Sequence, residues 1–331
     1  MNIFCWLKKI FWLSEKDSMP PRYKIIVDDF FQQYRNIVGH TSQVEKSLDV
    51  YRKLISREVV IPYNFKPYHK AVRKPFDYYQ FGIDFIRPLV DLENSQLLNP
   101  HILDDIEKKL ASGSNVVLFG NHQIEAEPQL LSILLETSHP KLAEDMIFVS
   151  GERVLKDIIA APMSVGRSLL CIYSKKYMDS CPRRKVIKQH HNHRVLHVLR
   201  HLFSNGGKCV YVAPSGGRDR RNSMGRVVPS AYDSRSIETF LTMAERSRCP
   251  TYFYSIAFNS YDLLPPPSGL QIEIGEKRSI NRVPVGVSFD GGLSLSQVRS
   301  IAADARAEYF WSEMNSQYNL LTKGGAGCAS I

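Results

Sequence analysis

Residues 116–137 of the chain read VVLFGNHQIEAEPQLLSILLET, and this stretch decides the class of fold. It begins with an apolar run at 116–119 that is typical of a buried strand, and it ends at 129–137 with a pattern that is typical of a helix. The polar loop between them ends at Pro128, a residue that suits the first turn of a helix. A strand followed directly by a helix is the unit from which parallel sheets are built.

The same alternation of strand and helix extends through the chain after residue 75. Short apolar runs predict further strands at 147–149, 169–173, 209–213, 253–258 and 270–274. Helical patterns predict further helices at 101–111, 185–204, 235–247 and 295–318. The predicted fold class is α/β, with a mixed, mostly parallel sheet flanked by helices.

The region before residue 65 has a different pattern. Apolar residues recur at helical spacing through 23–57, with a break at Gly39 and His40, and the proline-bounded stretch 62–67 (PYNFKP) marks a boundary. The expected organisation is an N-terminal helical-bundle domain at 1–65, an α/β catalytic domain at 76–322 and a flexible tail at 323–331.

The composition is that of a globular protein with an excess of positive charge. The 331 residues are 44% hydrophobic and 23% charged, which excludes a disordered chain. The 43 Lys+Arg against 33 Asp+Glu give a formal net charge of +10, which favours acidic partners or phosphate esters. No nucleic-acid-binding motif accompanies this charge, so we expect no nucleic acid as partner. Six cysteines without a Cys-x-x-Cys pair predict free thiols in a reducing compartment.

The first fourteen residues leave two alternatives open. They are apolar but interrupted by Lys8 and Lys9, without a small-residue cleavage site, so we expect no targeting segment. Their apolar side chains share one helical face, so the segment either packs on its own domain or makes transient peripheral contact with an anionic membrane. The expected location is therefore a bacterial cytoplasm, with peripheral contact at the membrane.

The loops that follow strands carry the candidate site, because ligands of open α/β sheets bind at the carboxyl ends of strands. The loop after 116–119 contains His122, and Glu125 and Glu127 each offer a carboxylate beside it. An imidazole takes a proton near neutral pH and a carboxylate fixes its tautomer, which together meet the requirements of a general base. The pattern alone does not choose between the two carboxylates.

Two further loops are basic. Lys175 and Lys176 follow one predicted strand, and residues 213–221 (APSGGRDRR) follow another. In the second loop Arg218 and Arg220 offer planar guanidinium groups that match the geometry of a phosphate. Together, the three loops predict a phosphorylated substrate next to a proton-transfer group.

These residues resemble the soluble, plastid-type glycerol-3-phosphate acyltransferases over residues 22–322. The His-x-x-x-x-Asp block of that family is matched by His122, with Glu127 in place of the Asp. The other matching stretches are YHKAVRKPFDYYQFG (68–82), VSGERVLKD (149–157), PMSVGRSLLCIYSKKYM (162–178), VAPSGGRDR (212–220), DLLPPPS (262–268), IEIGEKR (272–278) and QYNLL (317–321).

The resemblance implies a reaction without a metal or an organic cofactor. A fatty acyl group would pass from acyl carrier protein, or from coenzyme A, to the sn-1 hydroxyl of glycerol 3-phosphate, the first step of phospholipid synthesis. His122 would be the general base, with Glu127 as its partner, and the hydroxyl would attack the thioester directly. The residues implied to hold the phosphate are Lys175, Lys176, Tyr177, Arg218 and Arg220, with Arg153 and Gly151 shaping the site.

The sequence departs from the family pattern at two positions. Glu127 is longer than Asp by one methylene, or ~1.5 Å, and we expect the loop to accommodate it with slower turnover. Tyr177 stands where the family has His after the two lysines. A Tyr hydroxyl donates one hydrogen bond but adds no charge, so the affinity for glycerol 3-phosphate is expected to be lower.

The helix predicted at 185–204 carries two surface features. A basic group at and before its start is a candidate docking surface for acyl carrier protein, a strongly acidic partner. The residues of that surface are Arg183, Arg184, Lys185 and Lys188. A row of histidines at helical spacing is expected to face solvent rather than to hold a metal; its members are His190, His193, His197 and His201.

Three alternatives to this function stay open. A serine hydrolase would use Ser215 as nucleophile and His122 as base, although the turn at Ser215 lacks the first Gly of the Gly-x-Ser-x-Gly elbow. A binding protein for acyl carrier protein or an anionic membrane would keep the basic surface without the chemistry. Within the acyltransferases, the alternative acceptor is 1-acylglycerol 3-phosphate.

Overall fold

The computed structural model of the chain describes residues 19–174, 178, 182–267 and 277–323. Several predictions from the sequence lie outside these residues. They are the apolar segment at 1–14, the phosphate-binding residues Lys175, Lys176 and Tyr177, the strand at 270–274 and all of the tail except Lys323.

In the described residues, eight strands form one mixed sheet in the order β1-β5-β4-β6-β3-β9-β10-β2. The strands of this sheet are β1 (Tyr68–His69), β2 (Gln96–Leu98), β3 (Asn115–Gly120), β4 (Ile147–Gly151), β5 (Ser168–Ile172), β6 (Cys209–Val212), β9 (Thr251–Asn259) and β10 (Gly286–Ser294). A separate two-stranded ribbon is formed by β7 (Arg220–Arg221) and β8 (Val227–Val228).

Strand β3 is buried along its whole length, as its continuous apolar sequence predicts. It runs parallel to β6 on one side and to β9 on the other, so that Val117 pairs with both Val210 and Phe253. Strand β4 runs parallel to β5 and β6. The carboxyl ends of β3, β4, β5, β6 and β9 therefore meet at one side of the sheet, which we call the carboxyl edge.

Helices cover both faces of the sheet. They are α1 (Pro21–Val38), α2 (Ser42–Val60), α3 (Tyr78–Ile86), α4 (His101–Ala111), α5 (Glu127–Leu134), α6 (Pro140–Asp145), α7 (Glu152–Lys156), α8 (Ala160–Ser164), α9 (Pro182–Ser204), α10 (Ser234–Ser247), α11 (Leu295–Ser300) and α12 (Arg306–Lys323). Val116 and Leu118 of β3 belong to the apolar core that contains α1 to α6, whereas Val117 and Phe119 belong to the core that contains α9 to α12. This alternation follows from the period of two along a strand.

The N-terminal helices α1 and α2 pack into the first of these cores. Thr41 caps α2 by accepting a hydrogen bond from the amide of Val44 at 3.2 Å. The buried ring of Tyr51 lies 4.8 Å, centroid to centroid, from the ring of Phe85, and the hydroxyl of Tyr34 donates to the carbonyl oxygen of Phe85 at 2.9 Å. The described part of the predicted N-terminal domain thus shares a continuous core with the α/β layer, and the domain boundary itself stays a prediction.

The predicted fold class is confirmed, but one predicted helix is divided in two, and β10 as well as several short strands and helices were not predicted. The helix predicted at 295–318 is two helices, α11 and α12, separated by residues 301–305. Strand β10 was missed because its sequence, GVSFDGGLS, contains three glycines, which weaken the pattern of a strand. At Gly286 a Cβ atom would lie 2.8 Å from the end of the Leu321 side chain, which would have to shift to make room for it.

Candidate active site

His122 and Glu127 form a hydrogen-bonded pair in the loop after β3. Nδ1 of His122 lies 2.7 Å from Oε2 of Glu127. The carboxylate is almost completely buried, with 1% of the side chain exposed, whereas 25% of the His122 side chain is exposed. The structure therefore chooses Glu127 over Glu125 as the partner of the imidazole and leaves the ring open to the carboxyl edge.

The loop accommodates the longer Glu side chain, because the second carboxylate oxygen of Glu127 bonds two backbone amides of the same loop. Oε1 of Glu127 accepts hydrogen bonds from the backbone amides of Gln123 at 2.5 Å and Ile124 at 3.2 Å. Glu127 is also the first residue of α5, where a negative charge is favourable, and Pro128 follows it in the first turn. Both oxygens thus have fixed partners, which places the carboxylate against the imidazole.

The surroundings of His122 favour its protonated form. Burial lowers the pKa of the imidazole, but the charge and the hydrogen bond of Glu127, together with the charge of Glu125, outweigh burial and the nearby Arg218. The net effect is a pKa above the usual value for histidine. In the neutral ring Nδ1–H donates to Glu127, and Nε2 is the nitrogen that can accept a proton.

Asp219 ties the loop after β6 to the His122 loop. Its backbone amide donates to the carbonyl oxygen of His122 at 2.6 Å. Its carboxylate accepts hydrogen bonds from Asn121 Nδ2 at 2.9 Å, from Gln123 Nε2 at 3.3 Å and from the amide of Ser230 at 2.9 Å. Burial raises the pKa of Asp219 to about 6. Asp219 was not predicted as a site residue; the signal in the sequence was an acidic residue between two arginines in a loop after a strand.

A buried network of charges lies beside the pair of His122 and Glu127. Nη1 of Arg218 donates to Oε1 of Glu125 at 2.8 Å, and Nη2 of Arg278 lies 3.7 Å from the same oxygen. Nη1 of Arg278 donates to Oδ1 of Asp157 at 3.0 Å. Burial raises the pKa of Glu125, but the charges of Arg278 and Arg218 outweigh it and bring the pKa to about 2. Glu125 is thus ionised at neutral pH. Arg278 and Asp157 were not predicted as site residues, although they end the matching stretches 272–278 and 149–157, because no pattern in the sequence shows that they meet beside Glu125.

The other predicted residues of the phosphate site follow strands at the same edge. Arg220 begins the β7–β8 ribbon and donates from Nη1 to the carbonyl oxygen of Pro267 at 3.1 Å. Gly151 is the last residue of β4, and the half-buried Arg153 lies in the short helix α7 directly after it. The structure brings these loops to one edge of the sheet, while Lys175, Lys176 and Tyr177 lie outside the described residues.

The hydroxyl of Ser215, the nucleophile of the hydrolase alternative, bonds within its own turn. Ser215 Oγ donates to the carbonyl oxygen of Gly217 at 3.1 Å. In the described residues the hydrogen bond of this hydroxyl is with Gly217 and not with His122, so the structure gives no Ser215–His122 hydrogen bond that would activate the serine.

One residue of the predicted docking surface is misplaced. Arg183, Arg184 and Lys185 are exposed in the first turn of α9, but Lys188 is only 4% exposed, so the prediction that it belongs to this surface was wrong. The reason is that Lys188 lies on the face of α9 that packs against the end of β5. One turn later on that face, His191 Nε2 lies 2.8 Å from the carbonyl oxygen of Cys171.

The predicted histidine row does face solvent. The exposed members are His190, His193, His197 and His201. The rings of His193 and His197 lie 4.6 Å apart, centroid to centroid. In the described part of the chain, no three histidine, cysteine or acidic side chains are grouped as a metal site would require.

Comparison with known proteins defines the class to which this fold and site belong. Residues 101–250 match the family model of the acyltransferases, so the predicted class of enzyme is confirmed. The chain is 38% identical over 321 residues to the chloroplastic glycerol-3-phosphate acyltransferase ATS11 of Cucurbita moschata, a match covering 93% of this chain and 72% of that protein. It is 36% identical to the chloroplastic glycerol-3-phosphate acyltransferase of Arabidopsis thaliana, over 93% of this chain and 70% of the relative. The chain belongs to the glycerol-3-phosphate acyltransferase family, and the resemblance seen in the sequence is confirmed.

These relatives correct the expected location of the protein. The expected bacterial cytoplasm was wrong, because matching curated proteins are chloroplastic enzymes of plants. Among solved structures, the 1-acyl-sn-glycerophosphate acyltransferase PlsC from Thermotoga maritima gives a TM-score of 0.42 at 14% identity over 93% of this chain and 98% of that chain, a likeness too weak to carry an argument. None of the helices in the described residues is long and apolar enough to span a membrane.

Proposed function

We propose that this chain transfers a fatty acyl group from a thioester to the sn-1 hydroxyl of glycerol 3-phosphate, with His122 as the general base. The observation that carries the proposal is the pairing of a partly exposed imidazole with a buried, doubly anchored carboxylate at the carboxyl edge. Membership of the glycerol-3-phosphate acyltransferase family supports the choice of acceptor. The product is 1-acylglycerol 3-phosphate.

The proposed reaction is a direct displacement without an acyl-enzyme. Nε2 of His122 takes the proton of the sn-1 hydroxyl as its oxygen attacks the thioester carbonyl carbon. The imidazolium that forms is stabilised by the charge of Glu127, 2.7 Å from Nδ1. When the tetrahedral intermediate collapses, the carbon–sulfur bond breaks and the leaving thiolate takes the proton back from His122.

The acceptor phosphate is proposed to bind to basic side chains at the carboxyl edge. Arg218 and Arg220 support this assignment because the tie between Asp219 and His122 holds their loop against the base. Guanidinium groups at fixed positions select a phosphate by two parallel hydrogen bonds. The remaining proposed contacts are Arg153, Lys175, Lys176 and Tyr177.

The acyl donor is proposed to be a thioester of acyl carrier protein or of coenzyme A. Exposed Arg183, Arg184 and Lys185 in the first turn of α9 support docking of an acidic donor. Helix α9 packs on β5, whose carboxyl end lies at the same edge of the sheet as His122. A charged rim of this kind accelerates association, so the effect of these residues should decrease with salt.

The test is formation of lipid from radiolabelled glycerol 3-phosphate with palmitoyl-acyl carrier protein or palmitoyl-coenzyme A. We expect labelled 1-acylglycerol 3-phosphate from the parent and a loss of at least about 10³-fold in His122→Ala. The matched control is His139→Ala, since His139 also pairs with a carboxylate, Asp104, at 3.2 Å but lies outside the site. This control should retain the parent kcat.

Other outcomes would identify the alternatives. Release of free fatty acid without an acceptor would favour a hydrolase, and absence of product with both donors would favour a binding protein. If no lipid forms from glycerol 3-phosphate but 1-acylglycerol 3-phosphate is acylated by the same donor, the acceptor is a different one and the proposal is overturned.

A further inference from the structure

Arg278 is buried, charged and far in sequence from the loops that carry the proposed chemistry. Its side chain is 7% exposed, and its two terminal nitrogens face two carboxylates. Nη1 lies 3.0 Å from Oδ1 of Asp157, and Nη2 lies 3.7 Å from Oε1 of Glu125. Burial of an unpaired guanidinium is energetically costly, and the two carboxylates offset this cost at Arg278.

The anchor on one side of Arg278 is rigid. Oδ1 of Asp157 also accepts hydrogen bonds from the backbone amides of Ile159 and Ala160, both at 3.0 Å. This carboxylate therefore caps the turn that leads into α8 and cannot follow a moving partner. Arg278 extends from this fixed point toward the His122 loop.

The carboxylate on the other side is shared with Arg218. Oε1 of Glu125 accepts from Nη1 of Arg218 at 2.8 Å and lies 3.7 Å from Nη2 of Arg278, so two guanidinium groups are near one oxygen atom. Two positive charges near a carboxylate restrict its position more than one does. The direction of Arg218 is thereby set by Glu125, and the position of Glu125 by Arg278.

The backbone of Arg278 is held by the first N-terminal helix. Gln33 of α1 donates from Nε2 to the carbonyl oxygen of Arg278 and accepts from the amide of Ile280 at Oε1, both at 3.2 Å. Next to it, Nζ of Lys277 lies 3.4 Å from the carboxylate of Asp29. A side-chain amide that bonds a backbone oxygen and a nearby backbone amide fixes the segment at two points.

We propose that Arg278 is a positioning residue of the acyl transfer. Helix α1 holds Arg278, Arg278 holds Glu125, and Glu125 holds Arg218 in the direction required by the acceptor phosphate. This inference rests on the proposed function, in which Arg218 binds that phosphate. It gives the N-terminal helices a role in binding the acceptor.

The test compares two variants with matched controls. Arg278→Lys keeps the charge but cannot reach two carboxylates in a fixed fork, and Gln33→Leu removes the two backbone contacts. The control for the first is Arg306→Lys, because Arg306 is equally buried and bonds Glu238 at 2.7 Å between α12 and α10. The control for the second is Gln32→Leu, whose amide is exposed on the same helix and bonds Asn36.

We expect Arg278→Lys to raise KM for glycerol 3-phosphate about tenfold, with a smaller rise for Gln33→Leu. The KM for the acyl donor and kcat should change by less than about twofold, which a general loss of packing would not produce. Glu125→Gln should raise KM for glycerol 3-phosphate at least as much. An unchanged KM in Arg278→Lys, or an equal rise in Arg306→Lys, would overturn the proposal.

A binding measurement separates this inference from the proposed reaction. Isothermal titration with glycerol 3-phosphate, in the absence of donor, should give a Kd that rises about tenfold in Arg278→Lys. If the parent binds glycerol 3-phosphate but forms no labelled lipid, the proposed reaction fails while the shift in Kd still supports the positioning role. If the parent does not bind it, or both proteins bind it equally, the positioning role is overturned.

Discussion

Histidine–carboxylate pairs occur at two places in the described part of the chain, and they are built in opposite ways. His122 is 25% exposed and its partner Glu127 is 1% exposed. His139 is 8% exposed and its partner Asp104 is 64% exposed. A buried carboxylate keeps its full effect on the ring, whereas water screens an exposed one. Of these two pairs, the His122 pair combines an accessible ring with an inaccessible partner, which is the arrangement that the proposed general base requires.

The largest expected effect comes from reversing the hydrogen bond to the imidazole. In Glu127→Gln the amide oxygen should stay on the backbone amides of Gln123 and Ile124, which leaves the NH₂ group facing Nδ1 of His122. The ring must then accept at Nδ1 and carry its proton on Nε2, the nitrogen that the reaction needs free. We predict a fall in kcat/KM of about 10³-fold or more, measured by steady-state formation of labelled lipid.

Asp104→Asn is the matched control for that variant, because it makes the same change in the partner of His139. Its kcat/KM should stay within about twofold of the parent. A loss in Asp104→Asn comparable to that in Glu127→Gln would show that the two pairs do not differ in function. Glu127→Asp separately tests the expectation that the longer side chain slows turnover, which stays a prediction.

An intermediate effect is expected on the pH dependence of the reaction. A general base works when it is neutral, so kcat/KM should rise as the pH increases through the pKa of His122. The charged groups that act on this ring are Glu127, Glu125 and Arg218. In Glu125→Gln one negative charge is removed, so the pKa of His122 should fall and the acid limb of the profile should move to lower pH. An acid limb that stays in place, or moves to higher pH, would contradict this description of the site.

The smallest expected effect is on stability at the second pair. Asp104 is exposed, so Asp104→Asn should change the free energy of unfolding by less than about 0.5 kcal/mol in urea titrations. His139→Ala removes a buried ring and should cost about 1–2 kcal/mol. A larger loss in Asp104→Asn than in His139→Ala would mean that the exposed carboxylate, and not the buried ring, stabilises this pair.

The parts of the site that were predicted from the sequence are local along the chain. His122 and Glu127 are five residues apart in one loop, and the order of strand, loop and helix places that loop at the carboxyl edge. Arg278 and Asp157 could not be predicted in this way, because they are 121 residues apart in sequence and meet only after folding. Each residue ends a stretch that matches the family, 149–157 and 272–278, but the sequence does not show that the two side chains pair.

The errors have an equally physical cause. Lys188 was assigned to the docking surface as one of a group of basic residues near the start of α9, but it shares a helical face with His191, Val195 and Leu199, all of which pack inward. This face begins with two polar residues, Lys188 and His191, so the sequence pattern does not show that it is buried. Strand β10 was missed because glycine is disfavoured in strands. At 286, 291 and 292 the absence of a Cβ atom leaves room for Leu321 and Tyr254.

The hydrogen bonds of Asp219 have a consequence for motion. Its backbone amide bonds His122 and its carboxylate bonds Asn121 and Gln123, so Asp219 joins the loops after β3 and β6, in addition to the contact of Arg218 with Glu125. Local opening of one loop must break the same contacts that hold the other. Amide hydrogens in both loops should therefore exchange with solvent deuterium at correlated rates, as members of one cooperative unit.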